Sequence, residues 1–319
     1  MAVELARTHA LPKPWGVADL RPWSDGRDYR EAIGEIWYER PAAGAADSSL
    51  LLKLLFTSEP LSIQVHPDDA FAHSMGLSNG KTEAWYILSA TPEAKVALGL
   101  KRRITPEQLR SAVHDGSIEN LVAWHNVSPG DVIFVPARTI HAIGAGFVIA
   151  EIQQRSDATF RLFDHGRQRE LHIDSAVAVA KAAPANFPAQ PNRLTAERTL
   201  LVSSPHFAFE KLDLPPDSAW SLQAEQEIWL LVVNGSARAG SFDVAIGDAV
   251  FVQSDRVEIH VSAGGMVGLV AYTGGQAPLL LPRLKQSDAM AERPREMQAK
   301  NSRIRATAAP TNGLMERSK

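Results

Sequence analysis

The chain has 319 residues, 45% of them hydrophobic and 22% charged, enough for one large or two medium globular domains. Its net charge of −3 provides no global field to draw in nucleic acid or an anionic membrane. With no cysteine, disulfides, thiolate metal sites and cysteine nucleophiles are excluded, so any metal must be held by nitrogen and oxygen.

Residues 1–14 carry Glu4, Arg7 and Lys13 and no continuous apolar core, which does not read as a secretory signal. No stretch reaches the roughly 18 apolar residues of a membrane span, and a soluble cytoplasmic protein is expected. Strand-like periodicity follows over 49–56, 61–65, 84–88, 95–98, 131–135, 147–153 and 159–163. Turn signals separate these segments: Asn79-Gly80, Thr91-Pro92, Pro129-Gly130 and Gly144-Ala145-Gly146. Many short strands with Gly and Pro turns predict a β-sandwich or barrel.

Two helices interrupt the pattern. Thr105 is a predicted N-cap, with Pro106 in the first turn and Gln108 at the capping-box position. Leu109, Val113 and Ile118 carry the helical pattern towards Trp124, with a break or kink at Gly116. Asp174 is expected to cap a second helix over 175–183, and the Asp68-Asp69 pair to cap a short one over 69–73. The proline-rich stretch 183–192 reads as a linker, and the polar tail from Gln286 as mobile or loosely docked.

The second half repeats a theme of the first. Gly130-Asp131-Val132-Ile133-Phe134-Val135 matches Gly247-Asp248-Ala249-Val250-Phe251-Val252, and Glu83-Ala84-Trp85 matches Glu227-Ile228-Trp229. Two related β-barrels are predicted: 1–190 with a helical insertion near 105–124, and 191–285, followed by the tail 286–319.

Chemistry concentrates in the first half. Gln64 and His66 sit two apart on a strand and share a face. Lys81 and Glu83 share a face in the same way, and His141 follows a strand and a proline-bearing turn. Gln64, His66, Glu83 and His141 therefore form a candidate metal site inside the first barrel. Their oxygen and imidazole donors suit zinc, with manganese, iron or cobalt as substitutes. Against this stands the ordinary fate of a strand histidine, a hydrogen-bonded core or surface residue. In the second half Glu227 and His260 echo Glu83 and His141, but no Gln-x-His strand precedes Glu227 at comparable spacing, so that barrel is expected to be metal-free. The glycine-rich stretch 76–82 is one residue short of a phosphate loop and precedes a strand. His73, His114, His125 and His206 are expected at the solvated surface.

Pro14-Trp15-Gly16, the run Ser62-Ile63-Gln64-Val65-His66-Pro67-Asp68-Asp69, Gly80-Lys81-Thr82-Glu83-Ala84-Trp85-Tyr86, Ile140-His141-Ala142 and the stretch from Glu151 to Arg161 together resemble type I mannose-6-phosphate isomerases of the short bacterial form. The resemblance is strongest over residues 10–175. It implies a mainly β fold of two cupin-type jelly-roll barrels and one Zn2+ per chain on Gln64, His66, Glu83 and His141. It also implies a sugar phosphate as substrate, with Lys81, Glu151 and Arg161 in the catalytic machinery. The implied reaction interconverts mannose 6-phosphate and fructose 6-phosphate through an enediolate. Burial among Val148, Ile149, Ala150 and Ile152 is expected to raise the Glu151 pKa and suit it to proton transfer, whereas Arg161 suits charge stabilisation or phosphate capture. Competing readings are an iron-dependent cupin oxygenase and a sugar-phosphate-binding cupin without turnover.

Overall fold

Every residue of the strand Leu50–Thr57 is buried. A run that is apolar on both pleat faces belongs inside a layered structure, covered on both sides. The computed structural model, which describes residues 3–24, 29–41, 47–187, 189–223, 226–273 and 281–284, places it centrally in a six-stranded antiparallel sheet. Its neighbours there are Ile33–Glu39 and Phe147–Gln154. A five-stranded sheet faces it, and Leu55, Trp85, Ile133 and Ile149 of the first sheet pack against Val96, Leu98 and Ile143 of the second. The other face of the six-stranded sheet presents Leu54, Ala84, Ala150 and Ile152 to Trp229, Leu231, Phe251 and Leu269 of a nine-stranded sheet. That third sheet buries Ile228, Leu230, Val250, Val252, Ile259 and Val270 in a core of its own.

The fold is mainly β, and all seven strands expected in the first half form close to their expected bounds. The chain is not partitioned strictly by order, because Val3–Leu5 pairs with Ala249–Gln253 in the nine-stranded sheet. Residues Met1–Arg283 form one compact unit. Of the remainder only Leu284 is described, so the tail expected from Gln286 lies outside the described residues. No helix among the described residues is long and apolar enough to cross a membrane.

The helices lie on the outer face of the five-stranded sheet, where Leu109, Val113, Ile118 and Ala176 meet Ile63, Val65, Ala142 and Leu162. Pro106–His114 carries the expected Thr105–Gln108 capping box. Gly116 breaks the helix as expected, at φ +77°, a conformation available to glycine at little cost, and a short helix, Ile118–Leu121, follows it. The helical pattern does not reach Trp124. Val122–Asn126 is instead an edge strand beside Lys95–Leu100. Asp174 does not cap its helix either: Ile173–Val179 starts two residues earlier than expected, behind His172, and Asp174 accepts from Arg110 at 2.5 Å. The proline-containing strand Arg7–Val17 escaped the periodicity reading. It is the edge strand of its sheet, with register shifts at Pro12, the position where a residue lacking an N–H is tolerated.

Candidate metal centre

Sheet register brings the polar residues of the first half to one place. His141 pairs with Gln64 on one side, and Gln64 pairs with Arg161 on the other. Directly opposed residues of antiparallel strands share a face, so the three project together from the five-stranded sheet. Glu83 looks back at them from the six-stranded sheet. Its Oε2 lies 3.4 Å from Nε2 of His66 and its Oε1 3.3 Å from Nε2 of His141. His66, Glu83 and His141 offer ligand atoms all within 4.8 Å of one another, and all three residues are buried. The Gln64 amide completes the group, 3.3 Å from His141 Nε2.

The protonation pattern follows from the backbone. Nδ1 of His66 donates to the Ala158 carbonyl at 2.8 Å, and Nδ1 of His141 to the Thr139 carbonyl at 2.9 Å. A carbonyl only accepts, so each ring keeps its hydrogen on Nδ1. Burial, together with the Lys81 charge, pushes the His66 pKa down to about 3, and burial also lowers that of His141. Both imidazoles are thus neutral, with bare Nε2 lone pairs aimed at a carboxylate. Burial, the largest single influence, would raise the Glu83 pKa, but Lys81, 3.2 Å away, and the two imidazoles together outweigh it and hold the pKa well below the usual range. Lone pairs facing lone pairs leave His66 Nε2 and Glu83 Oε2 without a hydrogen-bond partner. Lys81 contacts Glu83 Oε2 as a charge without the alignment of a hydrogen bond. Converging buried acceptors carry a cost that a bound cation relieves. Two imidazole nitrogens, a carboxylate and an amide are donors that zinc accepts.

The amide of Gln64 fits the same requirement. Ser62 Oγ bonds Gln64 Oε1 at 2.9 Å. A half turn of the amide exchanges its oxygen and nitrogen while Ser62 keeps its contact as acceptor.

The segment carrying Lys81 and Glu83 is pinned residue by residue. Gly80 N donates to Asp69 Oδ1 at 2.7 Å, Lys81 N to the Pro67 carbonyl at 2.9 Å, and Thr82 N to Gln154 Oε1 at 2.9 Å. Gln154 Nε2 in turn donates to Asp69 Oδ1 at 2.9 Å. Asp68 caps the short helix Asp69–Ser74, as expected, by accepting from Phe71 N. The turn before His141 is tied to the same place, because Arg138, at φ +72°, donates its N–H to the His66 carbonyl at 2.7 Å.

Sequence reasoning named Glu151 but missed the row of charge to which it belongs. Trp37, Lys53, Glu151 and Trp85 stand in line across four strands. Lys53 lies 3.5 Å from Glu151 and 4.0 Å from Glu35, and Lys13 lies 3.3 Å from Glu35. Trp85 Nε1 donates to Glu151 Oε1 at 3.2 Å. Burial, followed by the Glu83 charge, raises the Glu151 pKa. The only sequence signal for Lys53 was a lone charge inside an apolar strand. Arg161 uses Nη1 to bond the Glu170 carbonyl at 2.6 Å, and its buried Nε has no partner. Arg167 and Arg169 stand nearby on the buried Asp164 and over the Trp15 ring.

The chain shares 36% identity over 237 residues with a mannose-6-phosphate isomerase of Streptococcus mutans, covering 70% of this chain and 73% of that protein. The chain belongs to the mannose-6-phosphate isomerase family. The Bacillus subtilis mannose-6-phosphate isomerase ManA is 33% identical over 226 residues, covering 65% and 69%. No protein-family model matches the chain. Among solved structures, a mannose 6-phosphate isomerase of B. subtilis superposes with a TM-score of 0.75 at 24% identity, over 85% of this chain and all of that one. A zinc-bound mannose 6-phosphate isomerase does so at 0.68 and 15% identity, over 86% and 100%. These likenesses carry the expected cupin-type β fold.

This family member uses its internal repeat asymmetrically. Glu83 and Trp85 face the core between the first two sheets. Glu227 and Trp229 face the other way, Trp229 lying in the layer shared with the six-stranded sheet. Glu227 accepts the backbone N–H groups of Ser49 and Leu50, each at 2.8 Å. His260 is half-exposed and lies 3.6 Å from Glu258. Of the histidines expected at the solvated surface, His125 instead stacks on Phe187 with centroids 4.1 Å apart, while the exposed His73 bonds the Ser78 carbonyl at 2.8 Å and the partly exposed His206 lies 3.8 Å from Asp69.

Proposed function

We propose that the chain is a metal-dependent aldose–ketose isomerase that interconverts D-mannose 6-phosphate and D-fructose 6-phosphate. The observation that carries this reading is the convergence of His66, Glu83 and His141 on one buried point, within a chain of this family. Gln64, His66, Glu83 and His141 would hold the metal. Zinc suits the donor set, and a structural relative is described as zinc bound. When bound, the metal supplies Lewis-acid stabilisation of negative charge developing on sugar oxygen.

The reaction moves a proton between C1 and C2 and relocates the carbonyl, passing through an enediolate. Proton transfer at carbon needs a group whose pKa approaches the working pH. Glu151 fits this requirement: it is buried and its pKa is raised, and Trp85 and Lys53 hold its two oxygens. Lys81 is buried beside the same point, 3.2 Å from Glu83. The attraction of Glu83 and Glu151 outweighs its burial and raises its pKa, so it stays protonated and is suited to donate hydrogen bonds to substrate oxygens. Arg161 has an unpartnered, buried Nε on the face it shares with Gln64 and His141. With Arg167 and Arg169 beside it, that wall of the site favours an anionic substrate. The buried Lys81, the unpartnered Arg161 Nε and the family's chemistry support a sugar phosphate over oxygen chemistry. We place the enzyme in the cytoplasm.

The test is a coupled assay with mannose 6-phosphate on metal-free protein, with and without added zinc. Turnover that appears only with the metal supports the reading. Full turnover without metal, or none with it, removes it.

A further inference from the structure

We propose that Gln153 is a substrate-contacting residue of this site, its side-chain carbonyl accepting a hydrogen bond from a hydroxyl of the bound sugar. The inference rests on the sugar-phosphate reading above and adds a residue to it.

Gln153 pairs directly with Glu83 across the six-stranded sheet. It alternates with Glu151 and Ile149, which face the same interior, while Ala150 and Ile152 face the layer behind. Gln153 is 0% exposed, and its Oε1 has no hydrogen-bond partner. The orientation of the amide is fixed, because Nε2 donates to the Gln154 carbonyl at 3.1 Å and the Ser156 carbonyl at 2.7 Å. Turning it over would set an oxygen against two carbonyl oxygens. A buried acceptor held without a donor is costly and rare in native folds. Glu83 Oε2 on the neighbouring strand, and His66 Nε2 and Arg161 Nε from the facing sheet side, are unpartnered in the same way. The metal accounts for the first two and an anionic ligand for Arg161. Gln153 Oε1 accepts and carries no charge, so its complement is a neutral O–H donor, and its strand partner Glu83 restricts that donor to the C1 or C2 hydroxyl, at the reacting end of the sugar.

The experiment measures binding of a hexitol 6-phosphate and its 1-deoxy and 2-deoxy forms to zinc-loaded protein by calorimetry. Wild type should lose about tenfold in affinity, roughly one hydrogen bond, when one particular hydroxyl is removed. Gln153→Met should weaken the full hexitol phosphate by the same factor, leave the corresponding deoxy form unchanged, and retain zinc. Equal binding of all three ligands by wild type overturns the proposal without any variant. Undiminished discrimination in Gln153→Met overturns the Gln153 role alone. If wild type binds no hexitol phosphate, the sugar-phosphate reading falls and the Gln153 proposal with it.

Discussion

Lys53 stands directly across the sheet from Glu151, its Nζ 3.5 Å from the carboxylate, with both residues buried. Removing one partner of such a pair leaves an uncompensated buried charge, a loss of about 3–5 kcal/mol. Lys53→Met is predicted to destabilise the protein on that scale and to reduce turnover by driving the Glu151 pKa higher still. Lys53→Met/Glu151→Gln should lose less stability than the two single changes added together. Urea denaturation of all four proteins checks this; strict additivity would show that the two side chains are not coupled.

The repeated Glu-x-Trp motifs should respond differently. Glu227→Ala orphans two backbone N–H groups and should cost about 1–3 kcal/mol, with metal content and turnover unchanged in the folded fraction. Glu83→Ala should abolish metal binding. Metal analysis beside a melting curve separates the two, and metal loss in Glu227→Ala would contradict the flipped orientation.

Chelation should destabilise the protein as well as silence it. An ion held a thousandfold above its dissociation constant adds about 4 kcal/mol to the folded state. Zinc-loaded protein is therefore predicted to melt several degrees above the metal-free form. Coincident melting curves would show that no ion binds the folded state with that advantage.

Acid should weaken the metal-free protein well above the carboxylate range. His66 and His141 have lowered pKa values in the fold, so the unfolded chain binds their protons first. Their contribution to stability is complete above the unfolded value near 6.5 and falls as pH drops towards about 3 for His66. The slope is about 1.4 kcal/mol per pH unit per histidine. Glu151, with its raised pKa, works in the opposite sense, its contribution fading as pH rises from about 4.5 through its folded value. Denaturation curves from pH 7 to 5 on metal-free protein should show stability falling, and His66→Gln should flatten the trend.

Gly80 packs against the segment that follows His66. A Cβ there would meet the Asp68 carbonyl carbon at 2.5 Å and Asp69 N at 2.6 Å, and backbone cannot give way as a side chain can. Gly80→Ala should cost about 1–3 kcal/mol and depress kcat by displacing Lys81. Kinetics with kcat and KM resolved would detect this; unchanged kcat would mean that the clamp tolerates the shift.

The local pieces were legible from residue order alone. Alternation and turn residues located the strands, Thr105 and Gln108 the helix start, and the absence of cysteine the donor chemistry. Gln64, His66, Glu83 and His141 were legible because strand periodicity puts i and i+2 on one side and the ligand types are distinctive. Period two says which residues share a face, but not which core that face meets. That Glu83 looks into the space between the first two sheets while Glu227 looks out of its own core is set by pairing partners far apart in the chain, which no local window contains. The same long-range register placed Lys53 and Trp85 on Glu151 and set the orphaned Gln153 beside Glu83. Arg7–Val17 carried little local signal because most of its residues are exposed or only half-buried, so neither pleat face demands a continuous apolar pattern.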